Sequence, residues 1–208
     1  MYTPKAFALD DPQAQWAFMR EHSFATLVTT VDGAITATHL PVLPRPDDNT
    51  LLLHLARANP QWQGQVGREV LVMFQGPHAY VSPSVYAAPH PNVPTWNYTA
   101  VHAYGIAQII DDPTAVMALM AATVTEYEAG RDAPWTPAPS QGYAEALVRG
   151  VVALRIEVMR IEGKYKLSQN RAAVDQHNVA AAFAGSDVPL ERAVGRLMSS
   201  APADKSAG

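Results

Sequence analysis

Apolar and polar positions alternate along several parts of the chain in the way that β-strands require. The clearest case is residues 24–30, which the Asp32-Gly33 turn joins to a second predicted strand over residues 35–40. The other predicted strands cover residues 51–55, 69–74, 78–81, 98–110 and 151–161, and the turn signal Gly76-Pro77 separates two of them. The pattern predicts strands that are joined mainly by hairpins.

Helices are predicted where a capping residue is followed by proline, because proline lacks only an N–H that the first helical turn does not use. Asp11-Pro12 and Asp112-Pro113 start two helices in this way, and Asn59-Pro60 starts a short one. The predicted α-helices cover residues 11–21, 113–128, 143–149, 171–183 and 187–198. The small, polar tail from Ser199 is expected to fray.

Links from strand to strand outnumber β-α-β crossovers along this chain. This favours an antiparallel barrel with helices packed outside it, and makes a parallel α/β sheet less favoured. The expected fold class is mainly β with helices, that is, α+β. Residues 1–185 are expected to form one domain, and residues 186–208 a C-terminal helix and tail.

Composition narrows the classes of protein. The 208 residues are 48% hydrophobic, carry a net charge of −4 and include no cysteine. That hydrophobic share can bury an ordinary core, whereas the charge argues against an electrostatic hold on DNA or on an anionic membrane. Without cysteine there are no disulfides and no thiolate metal sites. No signal peptide, membrane span or metal-binding histidine spacing is recognisable, so we expect a cytoplasmic protein without a metal.

Residues 82–93 form the most unusual stretch, because Pro83, Pro89 and Pro91 exclude both a helix and a ladder. A compact domain rarely holds an irregular loop of this length unless it binds a ligand or meets a partner. Aromatic residues and histidines lie within or beside the loop: His78, Tyr80, Tyr86, His90, Trp96, Tyr98 and His102. The alternative is a proline-stiffened surface loop with a few aromatic anchors.

Arg57 stands where a strand is expected to end and the short helix after Asn59 to begin. A guanidinium beside free backbone N–H groups suits a phosphate. An arginine at this position can also simply cap the helix or pair on the surface.

Two further polar groups have both a functional and a structural interpretation. Lys164 and Lys166 alternate along a strand end beside residues 168–170, where they form a polar cluster or protect a sheet edge. His39 and His54 lie on neighbouring predicted strands, and a lone histidine there is usually a satisfied core or rim residue.

Five ordered motifs resemble the signatures of the PaiB-like family of FMN-binding negative transcriptional regulators. They are HLARANP at 54–60, FQGPHAYVSP at 74–83, VPTWNY at 93–98, VHAYG at 101–105 and KLSQN at 166–170. The opening Met1-Tyr2-Thr3-Pro4 and the run Thr38-His39-Leu40-Pro41 also match, so the resemblance spans residues 1–185. It implies a split β-barrel of the pyridoxamine-phosphate-oxidase type, a homodimer and an FMN site at the subunit interface.

The resemblance implies roles for residues on neighbouring strands. Arg57 and Asn59 fall where related split barrels hold the FMN phosphate. Thr36, Thr38 and His39 would flank the flavin ring from the second strand.

Other candidates follow from the shared motifs. Those implied for the second wall of the flavin are Trp96, Asn97 and His102, and the remaining cofactor-binding candidates are His54, Lys166, Ser168 and Gln169. Two positions depart from the family pattern: Val85 replaces a usual Trp, and Asn178 stands where Gly is expected. These departures concern the ligand site more than the fold.

The resemblance therefore predicts an FMN-binding dimeric regulator of transcription. The acidic net charge gives no support to direct DNA binding. A second class is a flavin-dependent oxidoreductase resembling NAD(P)H-dependent or pyridoxamine oxidases, in which FMN would carry hydride. A third is a cofactor-free interaction module. The sequence identifies no catalytic residue.

Overall fold

The computed structural model describes residues 1–64, 67–136 and 148–200. The strands in these ranges are β1 (Ala8–Leu9), β2 (Phe24–Val31), β3 (Ala34–Arg45), β4 (Thr50–Ala56), β5 (Glu69–Val81), β6 (Thr95–Ile110) and β7 (Val151–Lys166). The α-helices are α1 (Pro12–Glu21), α2 (Pro113–Glu128), α3 (Ala173–Ala184) and α4 (Pro189–Ser200). Single 3-10 turns lie at Lys5–Phe7, Pro46–Asp48, Pro60–Trp62 and Pro83–Val85.

The strands form one sheet in the order β1-β7-β4-β3-β2-β5-β6, and β6 also pairs with β7. The registers of β1 with β7, β2 with β3 and β5, and β4 with β3 and β7 are all antiparallel. This confirms the predicted α+β class with an antiparallel sheet.

Local turn chemistry explains the β2–β3 hairpin. Asp32 and Gly33 both have positive φ, at 50° and 82°, as a type I′ turn requires. The ladder closes with Val31 opposite Ala34. β3 continues beyond its predicted end to Arg45, because its second half pairs with β4 even though it contains Pro44.

The prediction of a turn at Gly76-Pro77 is wrong. β5 runs without interruption from Glu69 to Val81, since the φ of proline is also compatible with extended backbone. The Thr99 hydroxyl on β6 donates to the Pro77 carbonyl at 3.4 Å, which is consistent with this extended course.

The pattern did not predict β1, which is only two residues long. It is held by pairing with β7, where Leu9 lies opposite Gly163. A Cβ at Gly163 would come within 2.6 Å of the Leu9 carbonyl oxygen, so this close approach depends on glycine. Two residues are too few to show an alternation.

The helices follow their caps. The Asp112 carboxylate accepts hydrogen bonds from the backbone N–H groups of Thr114 and Ala115, at 3.1 and 3.3 Å, and α2 begins at Pro113 as predicted. The predicted helix over 143–149 lies largely outside the described residues, and so does most of the predicted frayed tail. No helix in the described ranges is long and apolar enough to cross a membrane.

The chain divides into two compact units. The first unit consists of residues 1–15, 75–101 and 162 onwards, and the second of residues 16–74 and 102–161. The core of the first unit contains Ala79, Val81, Tyr86, Leu167, Val179, Phe183 and Val194. The largest fully buried side chains of the second unit include Leu27, Leu51, Leu53, Phe74, Leu154 and Ile156. Each unit thus has an apolar core of its own.

Candidate functional site

A hydrogen-bonded corner in the second unit joins the turn after β4 to strands β2 and β3. The Asn59 carboxamide accepts from the Gln61 backbone N–H at 2.9 Å and donates to the Thr38 hydroxyl at 3.0 Å. That hydroxyl donates in turn to the Gln61 side chain. Gln61 Nε2 donates to the carbonyls of Leu27 (3.0 Å) and Thr36 (3.2 Å). We call Thr36, Thr38, Asn59 and Gln61 the Asn59 corner.

Gln61 is the residue of this corner that the sequence did not single out. Its side chain is fully buried, which is unusual for glutamine and is compensated by its hydrogen bonds. The only sequence signal is its place directly after Asn59-Pro60, and burial of a polar residue cannot be read from a local pattern. Because the network is satisfied, it holds Thr38 and Asn59 in fixed positions.

Arg57 lies beside this corner, at the end of β4, and is exposed. Its Nε donates to the Arg149 carbonyl and its Nη2 to the Val151 carbonyl, both at 2.8 Å. Within the described ranges no carboxylate pairs with it, so no ion pair compensates its charge. Its Nη1 group, which makes neither of these two hydrogen bonds, can donate to a ligand. The helix after Asn59 is a single 3-10 turn, so attraction of a phosphate would come from the guanidinium.

The histidine candidates of the second unit differ in their surroundings. His39 is exposed, shares a 2.9 Å hydrogen bond between its Nδ1 and the Thr26 hydroxyl, and stacks on Phe24 with ring centroids 6.5 Å apart. Burial lowers the pKa of His54 below its ordinary value of 6.5. The rings of His102 and Tyr104 are arranged edge-to-face, with their centroids 6.4 Å apart.

A cavity of about 490 Å³ opens next to Arg57 in the second unit. Its wall is mainly apolar and includes one aromatic ring, with charged side chains at Arg57, Asp111 and Arg149. Its lining residues are Arg57, Trp62, Ile109, Ile110, Asp111, Pro113, Val116, Met117, Val148, Arg149 and Val151 to Ala153. An apolar wall with a few polar groups is the usual form of a cofactor pocket.

Other candidates lie in the first unit. Asn97 and Ser168 are buried and bonded to each other, through Asn97 Nδ2 to the Ser168 hydroxyl at 3.0 Å and that hydroxyl to Asn97 Oδ1 at 3.2 Å. Lys166 Nζ donates to the Trp96 carbonyl at 2.7 Å and to the Thr95 hydroxyl. The Gln169 side chain bonds to its own turn, at the Tyr165 carbonyl and the Leu167 N–H, both at 2.6 Å.

The structure therefore gathers the predicted site residues into two groups. Those of the second unit are Thr36, Thr38, His39, His54, Arg57, Asn59 and His102, and those of the first unit are Trp96, Asn97, Lys166, Ser168 and Gln169. Their roles toward FMN stay predictions. A group of three or more histidine or carboxylate side chains suited to a metal does not occur in the described ranges.

The residues of the second unit suit a flavin phosphate. FMN needs a cation for its phosphate, polar partners for the ring edge and apolar surface for the ring. Arg57 supplies the charge and lines the cavity, whose wall supplies apolar surface. Thr38, Asn59 and His39 supply polar groups in the same unit, outside the cavity lining. The chemistry of these side chains fits the group.

Comparison with solved structures identifies the class of fold. The FAD and heme binding protein from Mycobacterium smegmatis matches with a TM-score of 0.62 over 84% of this chain and 79% of that chain, at 16% identity. The flavocytochrome Anf3 from Azotobacter vinelandii matches with a TM-score of 0.62 over 76% of this chain and 69% of that chain, at 12% identity. The fold is the antiparallel split β-barrel of these two structures.

Sequence comparison then gives the family. Residues 1–160 match the family described as "Putative FMN-binding domain", and the chain belongs to it. It is also 40% identical, over 205 residues, to the "Protease synthase and sporulation protein PAI 2" of Bacillus subtilis, covering 95% of this chain and 96% of that protein. The predicted PaiB-like family and the FMN cofactor are confirmed.

Proposed function

We propose that this protein is an FMN-binding homodimer that acts in negative control of transcription. The regulatory part rests on the resemblance to the PaiB-like regulator family and on the 40% identity to the Bacillus protein, which is named a protease synthase and sporulation protein. The observation that carries the FMN part is the Asn59 corner, held rigid beside Arg57. When bound, FMN supplies electron-transfer chemistry.

In this proposal each group of the second unit has a separate task. The positive charge of Arg57 attracts the phosphate, and the Asn59 corner fixes the β3 residues on which the ring edge rests. Thr36, Thr38 and His39 are the proposed neighbours of that ring edge. Because the network already holds these residues in place, ligand binding has a lower entropy cost of ordering them.

Any action on DNA is expected to need a partner protein. The net charge is −4, so few cations are available to displace the counterions of DNA. Within α3 the only charged side chain apart from histidine is Asp175, and α4 combines Glu191 with Arg192 and Arg196. Neither helix offers the basic surface of a recognition helix.

The phosphate role is tested by titrating FMN and riboflavin against the wild type and Arg57→Ala. Loss of a charge-assisted contact costs about 1.5–3 kcal/mol, which weakens FMN binding roughly 10- to 150-fold. Riboflavin lacks the phosphate, so its affinity should change little.

Arg45→Ala is the matched control, because Arg45 is also an exposed arginine at a strand end of the second unit. Arg57→Lys keeps the charge and should retain most FMN binding. Equal weakening of FMN and riboflavin by Arg57→Ala would show that Arg57 only ties β4 to the start of β7 and does not hold the phosphate.

A second candidate function is a flavin-dependent oxidoreductase. It is favoured by exposed aromatic rings beside Lys166 in the first unit, which suit a second ligand. Oxidation of NADPH by the FMN-loaded protein, measured as steady turnover with reoxidation by air, would support it. A yellow protein without turnover would support the regulator.

A further inference from the structure

In the first unit, parts of β5, β6 and β7 lie side by side, and the two faces of this piece of sheet carry different kinds of side chain. β6 lies between β5 and β7 in the pairing scheme. On one face the side chains are buried, among them Ala79 and Val81 of β5, Asn97 and Thr99 of β6 and Leu167 just after β7. Because side chains alternate along a strand, the residues between them point to the other face.

That other face is aromatic and cationic. Its residues are His78, Tyr80, Trp96, Tyr98, Lys164 and Lys166, and we call them the aromatic–lysine face. Lys164 is its buried member, at 7% exposure. None of these six side chains is a carboxylate or a carboxamide, and the Glu162 carboxylate, which follows on the same face of β7, is paired with the Met1 amino group.

The aromatic part of this face is open to solvent. Trp96 is 52% exposed and Tyr80 is 47% exposed. The Tyr80 ring meets Trp96 edge-on with centroids 6.0 Å apart, and the His78 ring lies 6.2 Å from Trp96. Large exposed rings that contact one another form a surface on which a planar ligand can stack.

The lysines give the face an unbalanced positive charge. Lys164 Nζ donates to the Tyr2 carbonyl at 3.0 Å and lies 5.1 Å from the centroid of the Tyr98 ring. Lys166 Nζ uses two donors on Thr95 and Trp96, which leaves it a third. In the described part of the chain, neither lysine pairs with a carboxylate.

The neighbouring positive charges also affect Lys166 itself. Partial burial lowers the pKa of Lys166, and the neighbouring charges of Lys164 and Arg171 lower it further. An anion bound at Lys166 would relieve this repulsion. A nucleotide carries such an anion, its phosphate, in the same molecule as a planar ring, its base.

We propose that the aromatic–lysine face binds a second nucleotide, separate from FMN, with its ring on Trp96 and Tyr80 and its phosphate on Lys166. Stacking holds a base without base-specific hydrogen bonds, which matches six side chains that include no carboxamide and no carboxylate. The inference goes beyond the proposed function, since it gives the flavoprotein a co-ligand and uses residues outside the Asn59 corner. It differs from the resemblance, which assigns Trp96 and Lys166 to FMN.

The test is calorimetric titration of the FMN-loaded protein with AMP, adenosine and inorganic phosphate as probes. AMP should bind without displacing FMN. Lys166→Gln should weaken AMP roughly 10- to 150-fold, the effect of one charge-assisted hydrogen bond, and leave adenosine unchanged. Trp96→Ala should weaken AMP and adenosine alike, because the base loses a stacking partner.

Two substitutions serve as matched controls. Lys5→Gln removes the same charge from an exposed site of the first unit, and Trp135→Ala removes a tryptophan that is 60% exposed in the second unit. Neither should change AMP binding. Thermal unfolding of each variant shows whether it is folded. If Trp96→Ala proves unstable, the comparison of AMP with adenosine on Lys166→Gln still tests the proposal.

Absence of AMP binding to the wild type at millimolar concentration overturns the proposal. So does release of FMN by AMP, or loss of FMN from Lys166→Gln, because the face would then be part of the FMN site. These readouts are independent of Arg57, so failure here is distinguishable from failure of the proposed phosphate anchor.

Discussion

Gln61 connects the candidate site to the stability of the second unit. Its carboxamide accepts a hydrogen bond from the Thr38 hydroxyl and donates to two strand carbonyls, so one side chain satisfies several polar groups. Thr38 is in turn the acceptor for Asn59. The residues predicted to bind FMN are thus positioned by a residue that touches no ligand in our proposal.

We predict that Gln61→Leu lowers the free energy of unfolding by about 2–4 kcal/mol, because the buried partners of Gln61 lose their hydrogen bonds. FMN affinity should fall as well, since Thr38 and Asn59 are no longer held. Urea unfolding and FMN titration measure the two effects. Gln108→Leu, at an exposed position of β6, is the control and should change neither. Unaltered FMN affinity in a folded Gln61→Leu protein would contradict the positioning role.

His54 gives the stability a dependence on pH. Because burial lowers its pKa below 6.5 in the folded state, the unfolded chain takes up a proton first as the pH falls. Stability contributed by neutral His54 is therefore present above the unfolded pKa and is lost as the pH drops below it. His22 acts in the same direction, since its burial outweighs the opposing effect of Glu21.

We predict that His54→Asn reduces the loss of stability on acidification. The measurement is urea unfolding of the wild type and the variant at about pH 8 and about pH 5, on either side of the ordinary histidine pKa. Part of the loss should remain because of His22. An unchanged difference between the two pH values would mean that His54 does not contribute.

At the scale of elements, the β6–β7 pairing depends on one glycine. A Cβ at Gly105 would lie 2.2 Å from the Glu157 carbonyl oxygen and 2.8 Å from an Ile156 methyl group. Backbone cannot move aside as the end of a flexible side chain can. The two strands must therefore separate locally if any side chain is introduced.

We predict that Gly105→Ala lowers the free energy of unfolding by about 1–3 kcal/mol through overpacking. The matched control is Gly185→Ala at the end of α3, where the nearest atom would be 3.7 Å from the new Cβ. That change should cost less than about 1 kcal/mol. Similar melting temperatures for the two variants would show that β6 and β7 tolerate the separation.

At the scale of the whole molecule, exposed apolar side chains bear on the predicted dimer. The proline loop gives little support, since its Tyr86 is buried in the core of the first unit. Large apolar side chains are instead exposed on strands of the second unit, with Phe24 at 70%, Ile35 at 81% and Met159 at 68%. Exposed groups of this kind favour contact with a second copy.

We predict a species of twice the 22.5 kDa monomer mass in sedimentation at micromolar concentration. Ile35→Glu and Met159→Glu should each shift it toward the monomer, because a charge at an apolar contact must be desolvated. Val188→Glu, at a position 49% exposed in the first unit, should not. A wild type that sediments only as a monomer would exclude the homodimer.

Much of the fold was predictable because it depends on neighbouring residues. The Asp32-Gly33 turn, the Asp112 cap and the alternation along β2 each involve a few consecutive positions, and the structure shows all three. Asn59 was likewise recognised as a cap. Recognition of the family came from motifs whose order along the chain is itself information.

Contacts between distant segments decided the rest. Whether Gly76-Pro77 turns or continues β5 depends on the strand beside it, and the two-residue β1 exists only because β7 receives it. The burial of Gln61 and the hydrogen bonds from the Arg57 guanidinium to the Arg149 and Val151 carbonyls depend on residues far away in sequence. The sequence by itself determined where most strands and helices form, since periodicity and capping are local. Only the tertiary structure decided which polar side chains are consumed inside the protein and which face a ligand, because that depends on what packs against them.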